Sequence, residues 1–219
     1  PDAGPHTIQP LSPLPTITNP VVIDGYTQLG SAVNALATGT NAAIAIEIKG
    51  TSAGFGANGL TVTAGNSTIR GLAINGFATG AGVRLDGATG GNVVEGNFIG
   101  TAVSGTTAAA NRIGVTSLSP DNVIGGATAA ARNLISGNSL EGILVQARLD
   151  GSGAVVNQGS GAAIRNNLVG TTGMGLAALA NGAGGIVVMV PDVTIGGVTA
   201  AERNVISGNG SRGINAIAD

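Results

Sequence analysis

The chain has 219 residues, 43% of them hydrophobic and only 9% charged, with a net charge of −2. That balance offers no basic patch for nucleic acid and no polybasic anchor for a membrane surface. The longest apolar run, Gly185-Ile-Val-Val-Met-Val190, is of strand length, far short of the ~18 residues that cross a bilayer. The 39 glycines follow no triplet period, which excludes collagen and calls for many tight turns, and the apolar content excludes disorder.

In chain order, residues 1–20 read as an N-terminal cap and first strand. Four prolines between Pro5 and Pro15 cannot donate to a strand ladder, so this end is expected to be capped and inert. The sole histidine, His6, reads as a cap or surface residue. The opening Pro1-Asp-Ala-Gly lacks the pattern of a signal peptide. Ser31–Thr38 has the composition for two helical turns before a glycine stop. Beyond it the pattern is β. Ile44, Ile46 and Ile48 alternate with Glu47 and Lys49, and Val83 and Leu85 alternate with Arg84 and Asp86, as in half-buried strands.

One register recurs: Ile23-Asp-Gly, Ile48-Lys-Gly, Ile74-Asn-Gly, Ile99-Gly-Thr, Ile135-Ser-Gly, Val169-Gly-Thr and Ile206-Ser-Gly, at spacings of 25 to 37 residues. Longer phrases repeat as well. Val123–Asn138 returns as Thr194–Asn209, and Gly96-Asn-Phe-Ile-Gly-Thr101 returns as Asn166-Asn-Leu-Val-Gly-Thr171. Self-similarity on this scale predicts a solenoid, in which each unit's apolar face is buried only by its neighbours. The chain lacks the Leu-x-Leu pattern of leucine-rich repeats and the Gly-Gly-x-Gly-x-Asp of calcium-binding nonapeptides. Its spacings exceed the ~18 residues per coil of left-handed hexapeptide helices. What remains is all-β: a right-handed parallel β-helix of about seven coils, as a single domain over 1–219.

Two positions before each register residue stand Val21, Ile46, Leu72, Asn97, Asn133, Asn167 and Asn204. The last four predict an inward ladder of stacked asparagines, because a buried amide needs such partners. The insertion between Ile124 and Asn133 recurs between Ile195 and Asn204, whereas the coils of Val94 and Ile164 need a tight turn there. Long and tight turns should alternate along one edge, with Arg132 and Arg203 on the same side about two coils, roughly 10 Å, apart.

Leu14-Pro-Thr-Ile-Thr-Asn-Pro-Val-Val-Ile-Asp-Gly-Tyr-Thr-Gln28, Asn66-Ser-Thr-Ile-Arg-Gly-Leu-Ala-Ile-Asn-Gly-Phe77 and the repeated Gly-Asn-Phe-Ile-Gly-Thr and Arg-Asn-x-Ile-Ser-Gly-Asn phrases resemble bacterial right-handed β-helix repeat proteins of the pectin-lyase-like superfamily. The resemblance covers nearly the whole chain. It implies a bacterial extracellular or cell-surface setting within a larger secreted or surface-attached protein. It leaves the activity open, since the fold carries lyases, hydrolases, epimerases and adhesins.

The chemistry is sparse. Eleven acids are spread over the chain without an Asp-Asp, Asp-x-Asp or histidine motif. Asp24, Glu47 and Lys49 form the one candidate catalytic group, with the Asp24 and Lys49 columns aligned. Arg70 and Glu95 should pair across neighbouring strands. Arg84-Leu-Asp86 and Arg148-Leu-Asp150 place acid and base on one strand face. Arg84, Asp86 and Phe98, taken as exposed, are the candidate glycan contacts. Gly80-Ala-Gly82 and Gly90-Gly91 read as turns rather than phosphate loops, so no cofactor and no metal site is expected. The leading expectation is a structural or adhesive module that contacts polysaccharide or cell-surface glycan; the alternative is a polysaccharide lyase or glycoside hydrolase. No nucleic-acid or membrane partner is expected. The chain reads as a fragment whose last coil is open at 219, leaving Val205, Ile206, Ile214 and Ile217 for self-association.

Overall fold

A computed structural model describes residues 4–157 and 159–217. The outermost parts of the two predicted ends, residues 1–3 and 218–219, lie outside the described residues. The protein is all-β, with three parallel sheets and only four single-turn 3-10 helices among the described residues. Sheet 1 has seven strands: His6–Ile8, Ile46–Lys49, Leu72–Asn75, Phe98–Ile99, Asn133–Ile135, Asn167–Val169 and Val205–Ile206. Sheet 2 has six: Leu60–Val62, Ala81–Leu85, Ile113–Ser117, Ile143–Val145, Ile186–Val188 and Ile214–Ala216. Sheet 3 also has six: Val22–Asp24, Thr68–Arg70, Val93–Glu95, Val123–Gly125, Ala163–Arg165 and Thr194–Ile195. From Ile46 onward the chain visits sheets 1, 2 and 3 in strict rotation, and each visit adds a strand beside the previous one. This path is compatible with a β-helix. It is interrupted by one antiparallel hairpin, Arg148–Leu149 with Val155–Asn157.

The alternation of apolar and polar positions decides which side of each strand is covered. Ile48, Ile74, Ile99, Ile135 and Val169 stack in register in sheet 1, and all five are buried. They join Val62, Val83 and Val115 of sheet 2 and Ile69, Val94 and Ile124 of sheet 3 in one continuous apolar cluster. Branched side chains suit this stacking because each meets a like neighbour at the ~4.8 Å strand spacing.

The corners are as regular as the strands. The residue two places before five successive sheet 3 strands is left-handed: Asn66, Gly91, Asp121, Gly161 and Asp192, with φ between 54° and 72°. These are the residue types that tolerate this conformation. The tight turns from sheet 3 to sheet 1 likewise need one left-handed residue, supplied by Gly71, Gly96 and Asn166.

Four expectations change. Ile23 does not belong to the register of Ile48: it pairs with Ile69 in sheet 3, and Ile8 is the partner of Ile48. Val21 therefore leaves the asparagine column, and His6 stands opposite Ile46 instead. Ser31–Thr38 is not helical; it belongs to a long irregular strap from Gln28 to Ala45. Asn34 imposes that shape, because its Oδ1 accepts from the Leu36 and Asn41 amides at 3.1 Å each and so competes with helical bonding. Phe98 is 3% exposed. It lies on the outer side of sheet 1 with Ala73, Leu134 and Leu168, and Ile44, Ala42, Tyr26 and Val103 cover that row to form a second apolar cluster.

Candidate functional site

Many of the interior polar side chains, asparagines above all, build the corners. At the turn from sheet 3 to sheet 1, Asn97, Asn133, Asn167 and Asn204 form a stack, each Nδ2 donating to the next Oδ1 at 3.3, 2.9 and 3.0 Å. Each Nδ2 also donates to a strand carbonyl of the preceding circuit: Ile69, Val94, Ile124 and Ile164 in turn. A second stack runs along the turn from sheet 1 to sheet 2 through Asn111, Asn138, Asn181 and Asn209, with Nδ2 to Oδ1 distances of 3.2, 2.9 and 2.9 Å. A shorter one at the third corner joins Asn92 Nδ2 to Asn122 Oδ1 at 3.0 Å. The repeated Ile-Ser-Gly-Asn phrase carries Asn138 and Asn209, and was the available signal for the second stack.

The predicted catalytic group is not assembled. Asp24 ends a strand of sheet 3, whereas Glu47 and Lys49 lie on sheet 1. The column opposite Lys49 is Asn75, and the column of Asp24 runs through Arg70 to Glu95. The Asp24 carboxylate accepts from the Tyr26 amide at 2.9 Å and pairs with Arg70 at 3.1 Å. Both oxygens of Glu47 are taken, by Thr7 Oγ1 at 2.7 Å and Asn75 Nδ2 at 2.8 Å. Arg70 and Glu95 do pair, at 3.4 Å, and the Arg70 guanidinium stands 5.7 Å from the centroid of the Tyr26 ring.

Tyr26 gives this cluster a measurable property. Its hydroxyl donates to the Gly96 carbonyl at 2.6 Å, and burial pushes its pKa up to about 12, against an opposing pull from Arg70. The folded state therefore holds the phenol proton more tightly than the unfolded chain, whose tyrosine titrates near 10. This contribution to stability is fully present below pH 10 and is lost as pH rises towards 12. Urea melts of Tyr26→Phe should lack the part of the alkaline loss that wild type shows across that window. Identical slopes in both proteins would show that the phenol is not protected.

The site best built for an external partner lies at sheet 2. Arg84 stands on the strand Ala81–Leu85, and Asp86 follows it. The hairpin inserted after Ile143–Val145 brings in Arg148. Asp86 accepts from Arg84 Nη2 at 2.8 Å and from Arg148 Nε at 2.6 Å. A cleft of about 460 Å³ opens here, lined also by Gln146, Leu149 and Met189. Asp86 is held between two cations, an arrangement for orienting guanidinium donors rather than for removing a proton. Each arginine has five N–H groups, so most of their donors are left for a ligand. Arg84 and Asp86 were legible as candidates; Phe98, beneath the strap, is not part of this cleft. Asp150, expected to extend the charged face, instead accepts from Ser152 Oγ at 2.6 Å, and that bond, helped by those from the Ser152 and Ala154 amides, lowers its pKa.

Among the described residues, no three His, Cys, Asp or Glu side chains gather as metal ligands, and no helix is long and apolar enough to cross a membrane. Compared with protein-family models, curated proteins and solved structures, the chain matches none.

Proposed function

We propose that this chain is a right-handed parallel β-helix of about seven coils serving as a structural or adhesive module of a bacterial secreted or surface protein. The three sheets are its faces, the asparagine stacks its corner seams, and the cleft at Arg84, Asp86 and Arg148 its contact surface for glycans. One observation carries the reading: three of the carboxylates are each tied to a neighbouring arginine. Asp24 is held by Arg70, Asp86 by Arg84 and Arg148, and Glu202 by Arg165 at 2.8 Å. Glycoside hydrolysis of the usual kind needs two carboxyl groups ~5–9.5 Å apart across a sugar, and Asp24 and Glu47, the acids singled out for that work, stand on different sheets.

A glycan array run beside a polyuronate-degradation assay tests the reading. Retention of an oligosaccharide, weakened several-fold by Arg148→Ala and with no product released, is the expected result. Release of unsaturated or reducing ends would move the protein to the lyases or hydrolases.

A further inference from the structure

We infer that a second pocket, enclosed by the two repeated Thr-Ala-Ala-x-Arg turns and the strap, is a binding site for a small organic anion with a short apolar body. The two turns are Thr128–Arg132 and Thr199–Arg203, and each contains a 3-10 turn. They emerge on the same side, as the alternation of long and tight turns predicts, and Arg132 and Arg203 line one pocket of about 460 Å³. That size falls within the range of small-molecule sites. Ala129, Ala200 and Ala201 supply its apolar wall, and Ala37 and Thr38 of the strap supply another side.

The charges are the second observation. None of the lining residues is acidic. Neither arginine forms an ion pair among the described residues, although four other arginines do. Arg132 is 6% exposed, and its guanidinium is satisfied by neutral oxygens only: Asn166 Oδ1 at 2.8 Å, and the carbonyls of Leu36 at 3.1 Å, Ala37 at 2.9 Å and Gly39 at 2.5 Å. These four bonds leave one of five N–H donors and the whole of the charge uncompensated. The Arg203 side chain is exposed and has no hydrogen-bond partner among the described residues. Burial first, and then the charge of Arg203, lower the pKa of Arg132 below its ordinary value, as two cations sharing one pocket should.

The duplicated turn explains how this arises from the sequence. Its two copies differ at Ala131 and Glu202. Glu202 completes a capping box with Thr199 and turns its charge to Arg165, away from the cations. A single carboxylate, phosphate or sulfate group between the guanidinium ions would relieve their repulsion, and the alanine methyls would cover a few carbons of its body.

The test is a titration of the intact chain at constant ionic strength, with sodium butyrate and inorganic phosphate as separate probes and the melting temperature as readout. A saturable rise with butyrate is expected, shifted at least tenfold to higher concentration in Arg203→Ala and in Ala201→Glu. Both substituted positions are exposed and the Arg203 side chain holds no bond, so Arg203→Ala, which removes only a repulsion, should melt no lower than wild type before any anion is added. Arg203→Lys should keep part of the response. A rise of equal midpoint in Arg203→Ala, or no saturable rise, would overturn the assignment. A response to phosphate without one to butyrate would also overturn it, because the apolar wall would then contribute nothing.

Discussion

Asn133→Leu should lower stability by on the order of 3 kcal/mol, although it places an apolar side chain in a wholly buried position. Asn133 Oδ1 accepts from the backbone amide of Asn97 at 2.9 Å, while its Nδ2 donates to the Val94 carbonyl at 2.8 Å and to Asn167 Oδ1 at 2.9 Å. Leucine deprives all three groups of that partner where no water reaches. Each orphaned group costs ~1–3 kcal/mol, and burial of the leucine returns only ~1.5–3 kcal/mol. Asn97 Nδ2 keeps the carbonyls of Ile69 and Glu95, so the stack above is weakened rather than dismantled. Arg84→Ala, which removes a partly exposed ion pair, should cost only ~0.2–1 kcal/mol. Urea melts of the two variants decide the matter, and equal midpoints would mean that the asparagine column is hydrated.

Arg132→Ala should free the strap while leaving the three sheets folded. Its guanidinium holds three strap carbonyls and Asn166 together, and hydrogen bonds to a charged donor contribute ~1.5–3 kcal/mol each without adding in full. A loss of about 3 kcal/mol or more from strap docking is expected. The strap covers the row of Phe98, Leu134 and Leu168, so its release would uncover apolar surface. Hydrogen exchange reads this directly. The amides of Ala32 and Ala43, which bond to each other's carbonyls, and of Thr40, which donates to Gly173 at 2.7 Å, should exchange much faster in the variant. The amides of Leu134 and Ser136 should stay protected. Arg132→Lys should behave like the alanine variant, since a point charge cannot span the carbonyls that the planar fork reaches. Unchanged exchange at Thr40 would show that Asn34, whose Nδ2 donates to Ala129 at 2.9 Å, and the packing of Ala42 and Ile44 hold the strap without Arg132.

What the sequence disclosed and concealed follows from the range of the forces involved. The register of Ile48 through Ile206 was legible because every circuit repeats a β-branched residue with a glycine one or two places after it. Ile23-Asp-Gly imitates that phrase but belongs to sheet 3, and the true partner, Ile8, lies in a proline-flanked segment that resembles a cap. The first asparagine stack was legible because its members keep one offset from the register. The second was hidden by loops of unequal length between Asn111, Asn138, Asn181 and Asn209. Phe98 occupies an outward position by alternation. The strap of residues 28–45, together with Tyr26 and Val103, makes that position interior, and no local pattern announces a cover that comes mostly from so far away in sequence. In the cleft, Arg84 and Asp86 could be paired by spacing, but the approach of Arg148 depends on the inserted hairpin.

The central claim is that each circuit adds one strand to each of three faces, and the absence of cysteine allows it to be measured cleanly with paired spin labels. Thr7 and Val205 stand at opposite ends of one outward row of sheet 1, with Glu47, Ala73, Phe98, Leu134 and Leu168 between them. Six parallel steps of ~4.8 Å place their backbones ~29 Å apart. Val22 and Thr194, five steps apart in sheet 3, should lie ~24 Å apart. Pulsed electron–electron resonance on the two double-cysteine variants should give one narrow distribution for each, centred near these values once the label arms are allowed for, with the sheet 1 pair the longer. A broad distribution, or a Thr7–Val205 distance no longer than that of Val22–Thr194, would contradict the stacked circuits.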